Sequence, residues 1–162
     1  MARLMRQDTS LKLGFFALGG WDTHVNQGAA EGQLAQRLKP LGEGLFTLAH
    51  DLGPTLDETV IVVMSEFGRT VHENGNRGTD HGHANVMWLM GGRVAGGRVY
   101  GTWPSLAPEH RFEGRDLAVT TDFRCVLGSV LMRHFGLTPA QCDQVFPGQA
   151  ATARDFPNLL VV

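Results

Sequence analysis

The sequence predicts an α/β fold with a mixed, mostly parallel sheet. Short apolar runs that end at glycines or polar turns predict the strands, and a leucine stripe at helical spacing separates the first two runs. A chain of 162 residues with 43% hydrophobic content can bury one core. We therefore expect a single domain over residues 1–162.

Three apolar runs predict the strands of this sheet. Residues 11–18 end at Gly19-Gly20, residues 59–64 are β-branched and nearly uncharged, and residues 86–90 are closed by a second glycine pair. Strand, helix and strand in this order form a βαβ unit, so the first two strands should be parallel. The third strand should run antiparallel to the first two. Only then do the polar residues that precede it lie at the same edge of the sheet as the polar residues that follow the first two strands. The result is a mixed sheet.

Two helices follow from the spacing of apolar residues. Leucines between positions 34 and 52 recur at spacings of four and three, and Gly53-Pro54 ends that helix. Pro40 lies inside the pattern and should kink or divide the helix. A last helix starts at Thr121, which can cap it, and ends at Gly136. Beyond Pro139 we expect an irregular tail with a turn at residues 146–148.

The composition excludes several classes of partner. A net charge of -2 with interspersed signs predicts neither nucleic acid nor an anionic membrane face as a partner. The apolar runs are far shorter than the roughly 20 residues that a membrane-spanning helix needs. A basic start is followed by polar residues, so the chain shows no cleavable signal and by itself indicates the cytoplasm. Two cysteines are too few for a disulfide framework.

The first chemical motif is Gly20-Trp21-Asp22-Thr23-His24. In extended backbone, alternate side chains project to the same side, so Asp22 and His24 could hold one cation. Alternatively, Asp22 caps a following helix and His24 is a surface residue. We favour the cation site, because a tryptophan and two glycines are unusual in a plain loop.

The second motif, Ser65-Glu66-Phe67-Gly68-Arg69-Thr70, follows the second strand. A carboxylate at Glu66 needs a partner there. In one interpretation Glu66 is a metal ligand and Arg69 clamps a phosphate, sulfate or carboxylate. In the other, the two side chains form only a salt bridge.

The third motif, Gly78-Thr79-Asp80-His81-Gly82-His83, is the strongest signal. Its aspartate and two histidines are a dense supply of ligands for a divalent ion such as zinc, manganese or calcium. Asp80 could instead orient an imidazole from behind. A Gly-x-Ser-x-Gly elbow is absent from the sequence, and neither cysteine has a base near it in the chain, so a nucleophile is not evident.

These three motifs resemble domain-of-unknown-function family 1501. The resemblance continues through Gly91-Gly92 and Tyr100-Gly101 to Thr121-Asp122-Phe123-Arg124 at the last helix. That family is usually grouped with the alkaline phosphatase and sulfatase superfamily. The grouping implies an α/β/α sandwich and metal-assisted cleavage of phosphate or sulfate esters, whether small anionic esters or phosphorylated or sulfated saccharides.

The resemblance also assigns roles to individual residues. Asp22 and His24 fall where the superfamily has two metal ligands after a strand, and His81 matches its last histidine ligand. Glu66 could replace an aspartate ligand, but Phe67 falls where the superfamily has a histidine and cannot bind metal. The resemblance therefore implies one metal ion and not two.

The superfamily's nucleophile lies on an early strand that would precede Met1. The chain thus resembles the carboxyl-terminal half of longer relatives, which often carry an export signal. An incomplete alkaline phosphatase-like fold would expose a sheet edge and an apolar face, and so favours self-association or pairing with a missing amino-terminal half. Three functions remain open: a metal-dependent hydrolase-like domain, a non-catalytic module that binds a metal or an anionic ligand, and a structural remnant of a truncated gene.

Overall fold

The structure, a computed structural model, describes residues 1–148, 156 and 158–161. Within these residues it contains four α-helices, four short strands and two 3-10 turns. The helices are α1 (Ala2–Gln7), α2 (Gln33–Leu52), α3 (Phe123–His134) and α4 (Pro139–Val145). The strands are β1 (Ile61–Val63), β2 (Gly68–Arg69), β3 (His81–Gly82) and β4 (Trp88–Met90). The 3-10 turns are Gly53–Glu58 and Pro108–His110.

The predicted fold class is wrong. The described residues contain two antiparallel two-stranded sheets, β1 with β4 and β2 with β3. They contain no large, mostly parallel sheet with helices on both faces, and therefore no α/β/α sandwich of the alkaline phosphatase type. The antiparallel pairing of the second and third apolar runs is present, but the parallel pair is absent.

The parallel pair is absent because residues 11–18 form no strand. An apolar run can favour extended backbone, but a strand also needs a neighbouring edge for its hydrogen bonds. This run packs little: Leu13 is 80% exposed and Phe15 85% exposed. It ends, as predicted, at a glycine turn, where Gly20 takes a φ of +90° that favours glycine.

The four strands form one interrupted antiparallel ribbon. β1 leads into β2 and β3 leads into β4, so both ladders join the same two stretches of chain. Between the paired residues Val63–Trp88 and Gly68–Gly82, the second stretch is one residue longer than the first. The ladder is broken across this offset. Residues 70–80 connect β2 to β3 and form the tip of the ribbon.

The two long helices confirm the apolar periodicity. α2 runs through Pro40 as one element and ends at the fully buried Leu52. It also contacts α1. α3 is capped by Asp122, whose side chain accepts a hydrogen bond from the backbone N–H of Arg124, and not by Thr121.

The core lies between α3 and the ribbon. Val126 and Val130 of α3 pack with Leu159, and half-buried residues of the ribbon side, including Val60 and Leu89, pack against them.

A second correction concerns the tail, which is not irregular throughout. α4 begins at a capping box in which the Thr138 side chain and Gln141 satisfy each other's backbone N–H groups.

The turn predicted at residues 146–148 is present, and the predicted tail beyond it lies mostly outside the described residues. In the part of the chain that the structure describes, none of the helices combines the length and apolar character needed to span a membrane.

Candidate metal centre

The candidate site forms where the loop of residues 19–27 meets the ribbon tip. Two backbone hydrogen bonds of 2.9 Å fasten the loop, from Asn26 to Asn76 and from Gln27 to Arg77. At Gly78 the two segments approach so closely that a Cβ would lie 2.3 Å from the carbonyl oxygen of His24. The chain therefore needs a glycine at this contact.

Three side chains converge at this junction. The Oδ1 atom of Asp22 lies 2.8 Å from Nε2 of His24 and 2.6 Å from Nε2 of His81. One ligand atom from each of the three lies within 4.8 Å of those of the other two. The side chains of His24, His81 and Asp22 are 40%, 49% and 59% exposed, so the cluster is open to solvent on one side.

The two imidazoles change the chemistry of the carboxylate between them. The hydrogen bond from His81 holds the pKa of the Asp22 carboxyl below its ordinary value, and the charges of His24 and Arg69 act in the same direction. Asp22 is thus poised as an anion, the form that a cation requires.

Asp80 lies behind His24 and outside the three-residue cluster. Its Oδ1 atom is 3.0 Å from Nδ1 of His24, on the opposite side of the ring from Asp22. The hydrogen bond with His24 lowers the pKa of the Asp80 carboxyl most, and the hydrogen bond from Asn74 lowers it further. A carboxylate in this place is able to orient the imidazole, and this geometry fits the second of the two roles that the sequence left open.

Arg69 joins the two segments that carry the three clustered side chains. Its guanidinium donates to the carbonyl oxygens of Thr79, at 2.8 Å, and of Trp21, and its Nη2 lies 3.5 Å from Asp22 Oδ1. The side chain is 21% exposed. At least two of its donors therefore act inside the protein, where they hold the loop on the ribbon.

Phe67 forms one wall of the site. Its ring stacks on the imidazole of His81, and Cζ of Arg69 lies 4.9 Å from the centroid of the phenyl ring on Phe67. Phe67 thus gives the site an apolar surface at the position where the resemblance implies an imidazole ligand.

Glu66 and His83 do not join the cluster. Glu66 is exposed, and among the described residues its carboxylate makes no hydrogen bond or ion pair, including with Arg69. His83 stacks instead on Phe112, with ring centroids 3.7 Å apart. Asp22 does not cap a helix, because the next helix, α2, begins at Gln33 with Gly32 as its N-cap.

Sequence reasoning missed two amide side chains that complete the site. Gln27 accepts hydrogen bonds from the hydroxyls of Thr23, at 3.1 Å, and Thr79, at 2.6 Å. Asn74 bonds both His24 and Asp80. Amides lack the pattern of metal ligands, so the only sequence signal for Asn74 was its place in a glycine-rich loop just before the Asp-His motif.

The comparisons with known proteins point to one family. No curated protein and no solved structure matches the chain. Residues 1–145 match the sequence profile of a family described as a protein of unknown function, DUF1501. That match includes every residue of the cluster and its supports. The chain therefore belongs to the DUF1501 family.

Proposed function

We propose that Asp22, His24 and His81 bind a divalent metal ion. The observation that carries this proposal is the convergence of one carboxylate oxygen and two imidazole nitrogens within 4.8 Å. Two of the three come from one loop and the third from the ribbon, so the site depends on the fold.

The two distances from Asp22 to the imidazoles need only a small change to fit a zinc ion. Zinc takes imidazole nitrogen and carboxylate oxygen at about 2.0–2.2 Å with tetrahedral angles, which places ligand atoms roughly 3.3 Å apart. Asp22 Oδ1 lies 2.6 and 2.8 Å from the two nitrogens. An exposed carboxylate can make the required shift of about half an ångström by rotating its side chain.

The donor set also favours one kind of ion. Two imidazoles with one carboxylate suit zinc first and manganese second, whereas calcium takes oxygen ligands. Three protein ligands with an open side are the arrangement of a catalytic zinc site, since a fourth position stays accessible.

We propose further that the site belongs to a metal-dependent hydrolase for phosphate or sulfate esters, related to the alkaline phosphatase and sulfatase superfamily. A bound divalent ion would polarise an ester oxygen or activate water. The substrate would be a small anionic ester or a phosphorylated or sulfated saccharide. Arg69 would hold the anion only with donors that are not used on the loop.

The second candidate is a module that binds a metal or an anionic ligand without turnover. Two observations favour this second candidate. Phe67 presents an aromatic ring to the site and not a metal ligand, and the guanidinium of Arg69 donates hydrogen bonds to backbone carbonyl oxygens. Measuring the hydrolysis of aryl phosphates and aryl sulfates by the zinc-loaded protein separates the candidates. Turnover that is lost in His81→Ala supports the hydrolase, and zinc binding without turnover supports the module.

The metal proposal has a direct test. The protein is loaded with zinc and dialysed, and bound metal is measured in the wild type, His81→Ala and the control His83→Ala. We expect close to one zinc per chain in the wild type and in His83→Ala, and little in His81→Ala. Equal and negligible zinc in all three would contradict the proposal.

A further inference from the structure

We infer that Asn74 is a positioning residue for the metal ligand His24 and acts through Asp80. This inference rests on the proposed metal site. It concerns how the chain fixes which nitrogen of His24 faces the ion.

Asn74 forms hydrogen bonds with both His24 and Asp80. Its Nδ2 donates to Oδ1 of Asp80 at 3.0 Å and to the backbone carbonyl oxygen of His24 at 3.0 Å. The same Oδ1 atom of Asp80 lies 3.0 Å from Nδ1 of His24. One amide group thus ties the backbone of His24 to the carboxylate that contacts its ring.

This tie decides how His24 meets the ion. With an ion on Nε2, the ring proton is on Nδ1, where the Asp80 carboxylate accepts its hydrogen bond and fixes the orientation of the ring. Asp80 is 56% exposed, and among the described residues its Oδ1 atom has hydrogen-bond contacts only with Asn74 and His24. Without the amide, the carboxylate could rotate toward water and release the ring.

Asn74 also has a purely structural role, which uses different atoms. Its Oδ1 accepts hydrogen bonds from the backbone N–H groups of Asn76, at 2.9 Å, and Gly78, at 3.1 Å, and these bonds close the ribbon tip. The two roles can therefore be separated. Asn74→Asp keeps oxygen acceptors for the tip but removes the Nδ2 donor.

Two variants with one matched control test the inference by zinc affinity. Asn74→Asp keeps the acceptors and adds a charge, Asn74→Ser is neutral and keeps a shorter acceptor, and Asn76→Asp adds the same charge elsewhere in the tip. Loss of a group that orients a metal-bound histidine weakens binding by roughly 10–100-fold. We expect at least about tenfold weaker zinc binding in both Asn74 variants and near wild-type binding in Asn76→Asp. Weakening in only one Asn74 variant, or in neither, overturns the inference.

A second readout reports the coordinating nitrogen. In the zinc-loaded protein, two-bond 15N–1H correlations of the histidine rings show which nitrogen of His24 binds the ion. We expect coordination by Nε2, with the ring proton on Nδ1, in the wild type and in Asn76→Asp, and a mixture of the two coordination modes in both Asn74 variants. Coordination by Nε2 alone in those variants overturns the inference. If the wild type binds no zinc, the metal proposal fails and the positioning role with it; if the wild type binds zinc and the Asn74 variants bind it equally well, only the positioning role fails.

Discussion

The phenyl ring of Phe67 stacks face to face on the imidazole of His81, with ring centroids 4.1 Å apart and planes 9° apart. The stack holds the ring of a proposed ligand in place from one side. An aromatic pair of this kind contributes about 0.5–1.5 kcal/mol beyond its buried area. Phe67→Ala should therefore lower the free energy of unfolding by at least about 1 kcal/mol and weaken zinc binding several-fold.

Urea unfolding and competition with a zinc-binding dye measure the two effects of Phe67→Ala. Phe67→Leu serves as the control, because it keeps much of the apolar volume but removes the stacked ring. We expect Phe67→Leu to lose zinc affinity with a smaller loss of stability. Wild-type zinc affinity in Phe67→Ala would show that the stack does not position His81.

Arg69→Lys tests whether Arg69 is a fastener of the loop or an anion clamp. Lysine keeps the charge but lacks the planar fork that reaches the carbonyl oxygens of Thr79 and Trp21 together. We expect a loss of about 1–2 kcal/mol in the free energy of unfolding, from one or two broken hydrogen bonds, together with weaker zinc binding. Arg77→Lys, at the exposed ribbon tip, is the control.

A different result would support the interpretation of Arg69 as an anion clamp. If Arg69→Lys unfolds like the wild type but binds inorganic sulfate or phosphate more weakly, then the guanidinium serves the anion and not the loop. Isothermal titration with each anion on the zinc-loaded protein gives this measurement.

Gly78→Ala should separate the loop from the ribbon. Its new methyl carbon would lie 2.3 Å from the carbonyl oxygen of His24, a contact that only a backbone shift relieves. Such overpacking costs about 1–3 kcal/mol, and the shift moves a proposed ligand. Thermal unfolding and zinc affinity should both fall. Gly75→Ala is the matched control, since a methyl group there meets nothing within 4 Å, and a loss of equal size in that variant would contradict the explanation.

His134 should make the protein less stable in weak acid. Burial lowers the pKa of His134, and the charge of Arg93 acts in the same direction. Its Nδ1 is buried and has no hydrogen-bond partner among the described residues. Because the folded state holds the neutral imidazole, the unfolded chain takes up more protons once the pH falls below about 6.5. The stabilising contribution is therefore complete above this pH and is lost as the pH falls toward the folded pKa.

Urea unfolding of the metal-free protein at pH 7.5 and 5.5 checks this prediction. The difference in stability between the two pH values should shrink in His134→Gln. His50→Gln, at an exposed position of α2, is the matched control for the substitution itself. An equal pH difference in the wild type and in His134→Gln would rule out His134 as its source.

The helices were predictable because their signal lies within each segment. The leucine spacing of α2 and the apolar face of α3 need no partner to be recognised. The sheet was not predictable in this way, since residues 11–18 have the composition of a strand but find no edge to pair with. The short helix α4 was missed because its cap, Thr138, precedes a proline that we interpreted as the start of irregular chain.

The three clustered side chains are among the six candidate ligands that the sequence indicated, whereas the supporting amides of Gln27 and Asn74 were not recognised. Sequence reasoning expected Asp22 and His24 to meet the Asp80-His81 pair at a sheet edge, and the structure brings them together at a ribbon tip instead. The alternation of side chains determines which residue of the second motif lies at the site, because Phe67 faces His81 while its neighbour Glu66 is exposed. Composition cannot indicate which of two adjacent residues faces inward.

Asp22 and His81 are 59 positions apart in the chain. An ion held by both would act as a removable cross-link across that span, and closing so long a loop takes entropy chiefly from the unfolded chain. Zinc supply would then affect stability as well as the site: a chelator should loosen the attachment of residues 19–27 to the ribbon tip and make that loop more sensitive to proteases.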